Sequence, residues 1–243
     1  MKRHAIRLAG LLLLCSVALQ VFFLLRIAAM AMVDPSSSAF QRSEAWQLLT
    51  TRGDVSWQHD WVPDGQISDH LKRAVIASED AGFVEHSGIE WEAIERAWER
   101  NQQAEARAAQ RAPAVRPATV KLVGGSTITQ QLAKNLLLSG ERTVLRKAQE
   151  AVLTLWLEAV LSKRRILEIY LNHVEWGEGV FGAQAAAQRY FRTDADRLSR
   201  EAAARLAVML PAPKRFERRP ASAYVLGRAA TIVARMGAVE LPP

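Results

Sequence analysis

The chain contains a single cysteine, Cys15, in 243 residues. That excludes an internal disulfide framework and a zinc site built from cysteines, so stability has to come from packing. The preceding Leu12-Leu13-Leu14 is too bulky for a lipoprotein processing site, and Cys15 reads as one more lipid-facing apolar residue. There is also no internal repeat and no alternation of strand and helix patterns, which excludes a solenoid and a doubly wound parallel sheet. Acidic residues are outnumbered, 25 against 32 basic ones, for a formal charge of +7. Such a surplus attracts an anionic partner, whether nucleic acid, lipid headgroups or a phosphorylated substrate, and charge alone does not choose among them. What is present is 49% hydrophobic content, enough to bury one sizeable core.

The N-terminus narrows the choice. From Leu8 to Leu25 the chain is almost wholly apolar, and it continues through Arg26 to Val33. A helix of that length can span a bilayer. Lys2, Arg3, His4 and Arg7 on the N-terminal flank predict a cytoplasmic N-terminus, with everything after about Asp34 on the far side and Arg26 snorkelling to the far interface. Ala29-Met30-Ala31 has the small-x-small form of a cleavage site, so a signal peptide competes. The apolar run exceeds the roughly 7–15 residues of a signal peptide's core, which favours a retained anchor. Both readings export the rest of the chain, where lipid headgroups are met and chromosomal nucleic acid is not. The expected organisation is a cytoplasmic flank and anchor over 1–33, a linker and membrane-proximal segment over 34–66, and a globular domain over 67–243.

Ser36-Ser37-Ser38 opens the linker, and Trp46, Trp57 and Trp61 follow without helical periodicity; Val55, Trp57 and Trp61 at odd positions suggest a short extended piece. These tryptophans fit either an interfacial belt or ordinary core packing. After Pro63 the signals turn helical. Ser68 caps a helix through Leu71, Val75 and Ile76, and Ile89 to about Ala109 reads as a second. Pro113 and Pro117 make Arg111–Leu122 a loop. Thr127 with Gln130 forms a capping-box pattern before the stripe Ile128, Leu132, Leu136. Further helices are expected over about Thr143–Leu161, Lys163–Asn172, Ala183–Phe191, Ser199–Leu210 and Ala221–Met236, the last stopped by Gly237. The domain is mainly α.

Three segments carry chemistry. In Glu79-Asp80-Ala81-Gly82-Phe83-Val84-Glu85-His86-Ser87-Gly88, Glu79 falls on the buried stripe of its helix at i, i+4, i+8 from Leu71 and Val75. Apolar surroundings and the negative end of the helix dipole both raise a carboxyl's pKa toward the range of a general base. A solvated Glu-Asp pair at a frayed helix end is the competing account. His86 has no second ligand at usable spacing and reads as a packed, hydrogen-bonding histidine. Gly124 to Asn135 joins a glycine-rich approach to a helix N-terminus, with Thr127, Gln131 and Lys134 on one face; free amides there suit anionic oxygens, and a lysine two turns along adds a point charge. A capped surface helix explains Ser126 and Thr127 equally, but not the cluster of polar residues between apolar ones. Arg142, Arg146 and Glu150 recur at i, i+4, i+8 beside Lys147, and Lys163-Arg164-Arg165 follows. Each could be an ordinary salt-bridge ladder; together they can supply several cations to one diphosphate.

In this order, these segments resemble the glycosyltransferase family 51 domain of bacterial cell-wall synthesis, in particular its monofunctional peptidoglycan transglycosylases. The resemblance covers about Ile67 to Phe191: Glu79-Asp80 with Phe83, His86 and Gly88; Gly124 to Asn135; Arg146-Lys147 with Glu150; and Arg165-Ile166-Leu167-Glu168 with Tyr170-Leu171-Asn172, Gly177, Gly179 and Gly182. It implies a lysozyme-like helical domain acting on lipid II and a growing glycan chain, with Glu79 as general base in an inverting transfer. It further implies diphosphate contacts from Lys134 and Arg142, with Arg146 and Lys147 nearby, and Glu150 as a second acid that orients those cations or a metal. Ser126, Gln130, Gln131 and Asn135 would line the same cleft, and Mg²⁺ or Mn²⁺ dependence is implied by the resemblance only. The expected location is the bacterial plasma (inner) membrane, single-pass, with the domain on the extracytoplasmic side. Asn101–Lys121 departs from the family as an irregular insertion. No Ser-x-x-Lys or Lys-Thr-Gly signature occurs, so crosslinking is expected from other cell-wall proteins such as transpeptidases. A lytic lysozyme-like enzyme and a non-catalytic lipid-binding scaffold are the alternatives.

Overall fold

The computed structural model describes residues 2–53, 56–110, 125–138 and 143–243. Helix α1, Lys2–Ala29, is apolar almost all round and is the one described helix long and apolar enough to cross a membrane. Most of its surface is uncovered; Phe23 and Ile27 alone are buried within it. Helix α2, Ala39–Arg52, lies where the sequence predicts a linker and membrane-proximal segment without helical periodicity. Its inward face explains the difference: Gln41 and Glu44 are buried beside Leu48, so a partly polar stripe faces the domain and no apolar period marks it. A capping box between Ser38 and Gln41 starts the helix.

The body of the domain is helical, as its apolar stripes require. Helix α3, Asp69–Glu79, buries Leu71, Val75 and Ile76 and is capped by Ser68. Helix α4, Trp91–Gln110, takes in the first half of the stretch read as an irregular insertion; the loop expected at Arg111–Leu122 and the remainder of that insertion lie outside the described residues. Then come α5, Ile128–Leu137; α6, Val144–Val160; α7, Lys163–His173; α8, Ala183–Phe191; and α9, Arg200–Met209. A single turn, α10, Pro213–Phe216, precedes α11, Ala223–Arg235. Gly237 does not terminate α11 in a left-handed cap; it lies inside a 3-10 turn, Met236–Ala238. Helix α3 packs on α9 and α11, while α5 is clasped between α6 and α7.

Three short strands, too brief for any alternation to register, form a sheet in the order β1-β3-β2: β1, Gln58–His59; β2, Glu175–Gly177; β3, Val180–Phe181. β1 runs parallel to β3 and β2 antiparallel to it. Trp57 packs on Phe181, and Trp61 on His173 and the Arg165 guanidinium, which places both tryptophans in the domain, whereas Trp46 is exposed.

The anchor is tied to the domain at two levels. Gln20 in α1 donates to Gln149 near the start of α6 at 2.9 Å, and Arg165, just past the end of α6, donates to the Met30 carbonyl at 2.8 Å. The two helices therefore run side by side in the same direction.

Candidate active site

Glu79 ends α3, and the next residue fixes where that end lies. Asp80 is buried; its Oδ2 accepts from the Ile128 amide at 2.9 Å, and its Oδ1 lies 2.8 Å from His86 Nε2. His86 Nδ1 accepts from the Gly88 amide at 3.0 Å, so Nε2 carries the proton donated to Asp80. A carboxylate is thus seated on the first free amide of α5, where the helix dipole favours it. Gly88 turns the chain at φ +87°, and a Cβ there would sit 2.7 Å from Thr154 and Glu158 side-chain atoms. Its carbonyl accepts from Thr127 Oγ1 at 2.6 Å.

Gln131 stands between the acid and the cation-lined groove. Its Nε2 donates to Glu79 Oε2 at 2.9 Å while its Oε1 accepts from the Tyr170 hydroxyl at 2.9 Å, so the amide has no freedom to rotate away. Burial pushes the Glu79 carboxyl above the usual carboxylate range; the hydrogen bonds from Gln131 and Ser78 oppose that shift, and Asp80's charge adds to it. Glu79 shares a small recess with Ser126, Glu90 and Arg100. On the other side of Gln131 opens a groove of about 740 Å³, lined by Lys134 and Asn135 of α5, Arg146 and Lys147 of α6, Phe40, Glu175 and Leu210.

The expected site residues separate accordingly. Gln131, Lys134, Asn135, Arg146 and Lys147 meet in the groove, with Glu79 and Ser126 adjoining it. Arg142 and Gly124 lie outside the described residues. Gln130 is turned inward: buried, it accepts from the Thr127 amide at 3.1 Å and completes the capping box of α5, so its amide lines no groove. Glu150 is also buried and holds Arg146 at 2.9 Å through one oxygen and Lys147 through the other. That suits an acid that positions cations and not one that meets a sugar. Lys163, Arg164 and Arg165 are engaged away from the groove, with Glu158, Asp64, and Asp34 with Glu168. Asn172 clamps both backbone groups of Val62, so the fourth motif braces the domain's entry segment.

Glu175 is a groove residue that the sequence reading passed over. It is buried opposite the cations, with Lys214 at 3.7 Å. Burial pushes its carboxyl up to about 7, Lys214 resists, and Glu44 and Glu217 reinforce the rise. Its only signal in sequence was an acid in an otherwise apolar run, Val174-Glu175-Trp176.

Asp80, His86 and Glu90 bring three potential metal-ligand atoms within 4.8 Å of one another. They do not fit a resident ion: Asp80 and His86 are spent on each other and on backbone amides, and Glu90 pairs with Arg96 at 2.6 Å. Glu150 is equally committed.

A family model described as Transglycosylase matches residues 47–237, beginning inside α2. A biosynthetic peptidoglycan transglycosylase of Paraburkholderia xenovorans (strain LB400) is 51% identical over 226 residues, covering 93% of this chain and 88% of the relative. One from Burkholderia thailandensis is 53% identical, covering 93% and 82%, and one from Paraburkholderia phytofirmans is 48% identical over 241 residues, covering 99% and 94%. The helical, lysozyme-like body is matched by similarity along nearly the whole chain, and the chain belongs to the transglycosylase family.

Proposed function

We propose that this protein polymerises lipid II into β-1,4-linked glycan strands of peptidoglycan, with Glu79 as general base. The observation that carries the reading is the bridge through Gln131, which holds one poorly solvated carboxylate at the edge of a groove floored by cations. Glu79 takes the proton from the acceptor sugar's 4-hydroxyl as that oxygen attacks the anomeric carbon of the growing chain from the face opposite the leaving group. The bond from that carbon to the diphosphate oxygen breaks, and its electron pair leaves with the polyprenyl diphosphate. The developing charge calls for fixed cations more than for a proton, and Lys134, Arg146 and Lys147 line the groove to meet it. A divalent cation, Mg²⁺ or Mn²⁺, enters this reading only as a companion of the substrate's diphosphate, with one or two carboxylates at most, and no step above is routed through it.

The geometry of the anchor supports a lipid-borne substrate. Gln20 lies nine residues before Ala29, so at the helical rise it sits about 13 Å below the end of α1. Gln149 is at that depth, and the first turn of α6, with Val144 and Leu145 exposed at 87% and 83%, reaches further. The mouth of the groove thus opens at the bilayer, with Val144 and Leu145 toward the lipid and Arg146 and Lys147 of the same turn lining the groove. With the basic flank of α1 in the cytoplasm, the domain works on the extracytoplasmic face of the plasma membrane, beside the transpeptidases that would crosslink its product.

Glu79→Gln is expected to keep the thermal midpoint within a few degrees and to lose polymerisation of purified lipid II by at least ~100-fold. Polymer formed by the variant at the wild-type rate would remove Glu79 from the reaction. Short muropeptides released from finished strands, without polymer from lipid II, would return a lytic enzyme.

A further inference from the structure

A second cavity, of about 320 Å³, lies where α1 leaves the bilayer, and it shares no lining residue with the catalytic groove. Its walls are Arg26, Ala29, Met30 and Val33 on the anchor side and Asp34, Ser36, Ser37 and Arg42 on the approach to α2. Arg26 is half-buried on the last turn of α1; among the described residues it forms no ion pair, and the charge acting on it is that of Arg42. Arg42 is exposed and has no acid partner among the described residues either; one of its nitrogens donates to the Ser37 hydroxyl at 3.0 Å and the Ser37 carbonyl at 3.3 Å. Asp34, the one carboxylate in the lining, is drawn off by Arg165 at 2.7 Å. Two guanidinium groups therefore face a shared space with no anion between them among the described residues, although Asp64, Glu90, Glu150, Glu158 and Glu168 elsewhere each hold a basic side chain. Beside them, Phe22, Leu25, Met32 and Val33 are uncovered apolar surface.

We propose that this pocket binds the phosphate of an anionic phospholipid of the extracytoplasmic leaflet, with Arg26 and Arg42 on its oxygens and its acyl chains along Phe22 and Leu25. The site chemistry is that of any lipid phosphate, but the paired, uncompensated charges select a headgroup with net negative charge over a zwitterionic one, whose own ammonium would be repelled. The ligand would turn the repulsion between the two arginines into attraction to a common anion, and would tie the exit of the anchor to the start of α2. The proposal rests on the membrane-anchored reading above.

The test uses the full chain, anchor included, reconstituted in bilayers of equal phosphatidylethanolamine and phosphatidylglycerol, with lipid II polymerisation measured in the same bilayers. Lipids that stay bound after transfer to detergent are counted by native mass spectrometry. The wild type is expected to retain phosphatidylglycerol in preference to phosphatidylethanolamine, and the Arg26→Gln/Arg42→Gln variant to lose about tenfold in that retention, the scale of a lost charge-assisted contact. Arg42→Gln alone, at an exposed position, is expected to lose part of it without affecting folding, and Arg218→Gln/Arg219→Gln, equally basic and exposed, none. Undiminished phosphatidylglycerol on the double variant, equal retention of the zwitterionic lipid by the wild type, or selective loss of lipid II in place of phospholipid would each overturn the assignment. A wild type that makes no polymer from lipid II would instead count against the proposed function, so the two failures are read separately.

Discussion

Glu79 and Glu175 are both raised above the carboxylate range by burial, yet their company differs: the first receives a hydrogen bond from a fixed amide, while the second shares one lysine with two other acids. For Glu175 the linkage has a definite sign. The folded carboxyl keeps its proton up to about 7, whereas the unfolded one loses it near 4.5. Stability is therefore full below pH 4.5 as far as this group is concerned, falls as pH rises through that window, and stays reduced above it. Glu175→Gln is expected to match the wild type at pH 4 and to exceed it at pH 8 by ~1–3 kcal/mol, measured by denaturant unfolding in detergent. A variant less stable than the wild type at pH 8 would mean that the ionised Glu175 is a favourable partner of Lys214 and not a strained one. Glu150 keeps different company, with Arg146 on one oxygen and Lys147 on the other. Glu150→Gln would leave Arg146 and Lys147 unheld, and the expected result is a KM for lipid II raised roughly tenfold with a much smaller change in kcat.

At the scale of elements, what could be read in advance followed the apolar period. Helices α3 and α5 bury the expected stripes Leu71, Val75 and Ile128, Leu132, and α6, α7 and α8 stand within a residue or two of their expected limits, because apolar residues recur on one face of each. Helix α2 escaped because its buried face includes Gln41 and Glu44, and only the Ser38-x-x-Gln41 box announced it. The site was legible for the same reason in part: Glu79 fell on a stripe. Gln130 shows the limit, since a polar side chain beside a helix start serves a cap or a ligand with the same sequence. The two roles separate by measurement. Gln130→Ala is expected to lower stability by ~1 kcal/mol through the lost cap, with KM for lipid II unchanged; an unchanged stability with a raised KM would restore a substrate contact.

For the molecule as a whole, the apolar N-terminal helix and the globular body form one unit because α6 runs alongside α1 in the same direction. Gln20 and Gln149 are the polar link between them. A double-mutant cycle with Gln20→Leu and Gln149→Leu is expected to give a coupling of ~0.6 kcal/mol in unfolding from bilayers, the usual worth of a hydrogen bond between membrane helices. Zero coupling would leave the two helices merely adjacent.

The seating of Asp80 on the Ile128 amide has a consequence for how the enzyme accommodates its substrate. Because this joint ties the Glu79 end of α3 to the start of the helix that carries Lys134, those two walls move together. On the proposed seating at the bilayer, bulkier donors are admitted by yielding of the first turn of α6, residues 144–147, so a stiffer bilayer is expected to make a choosier polymerase.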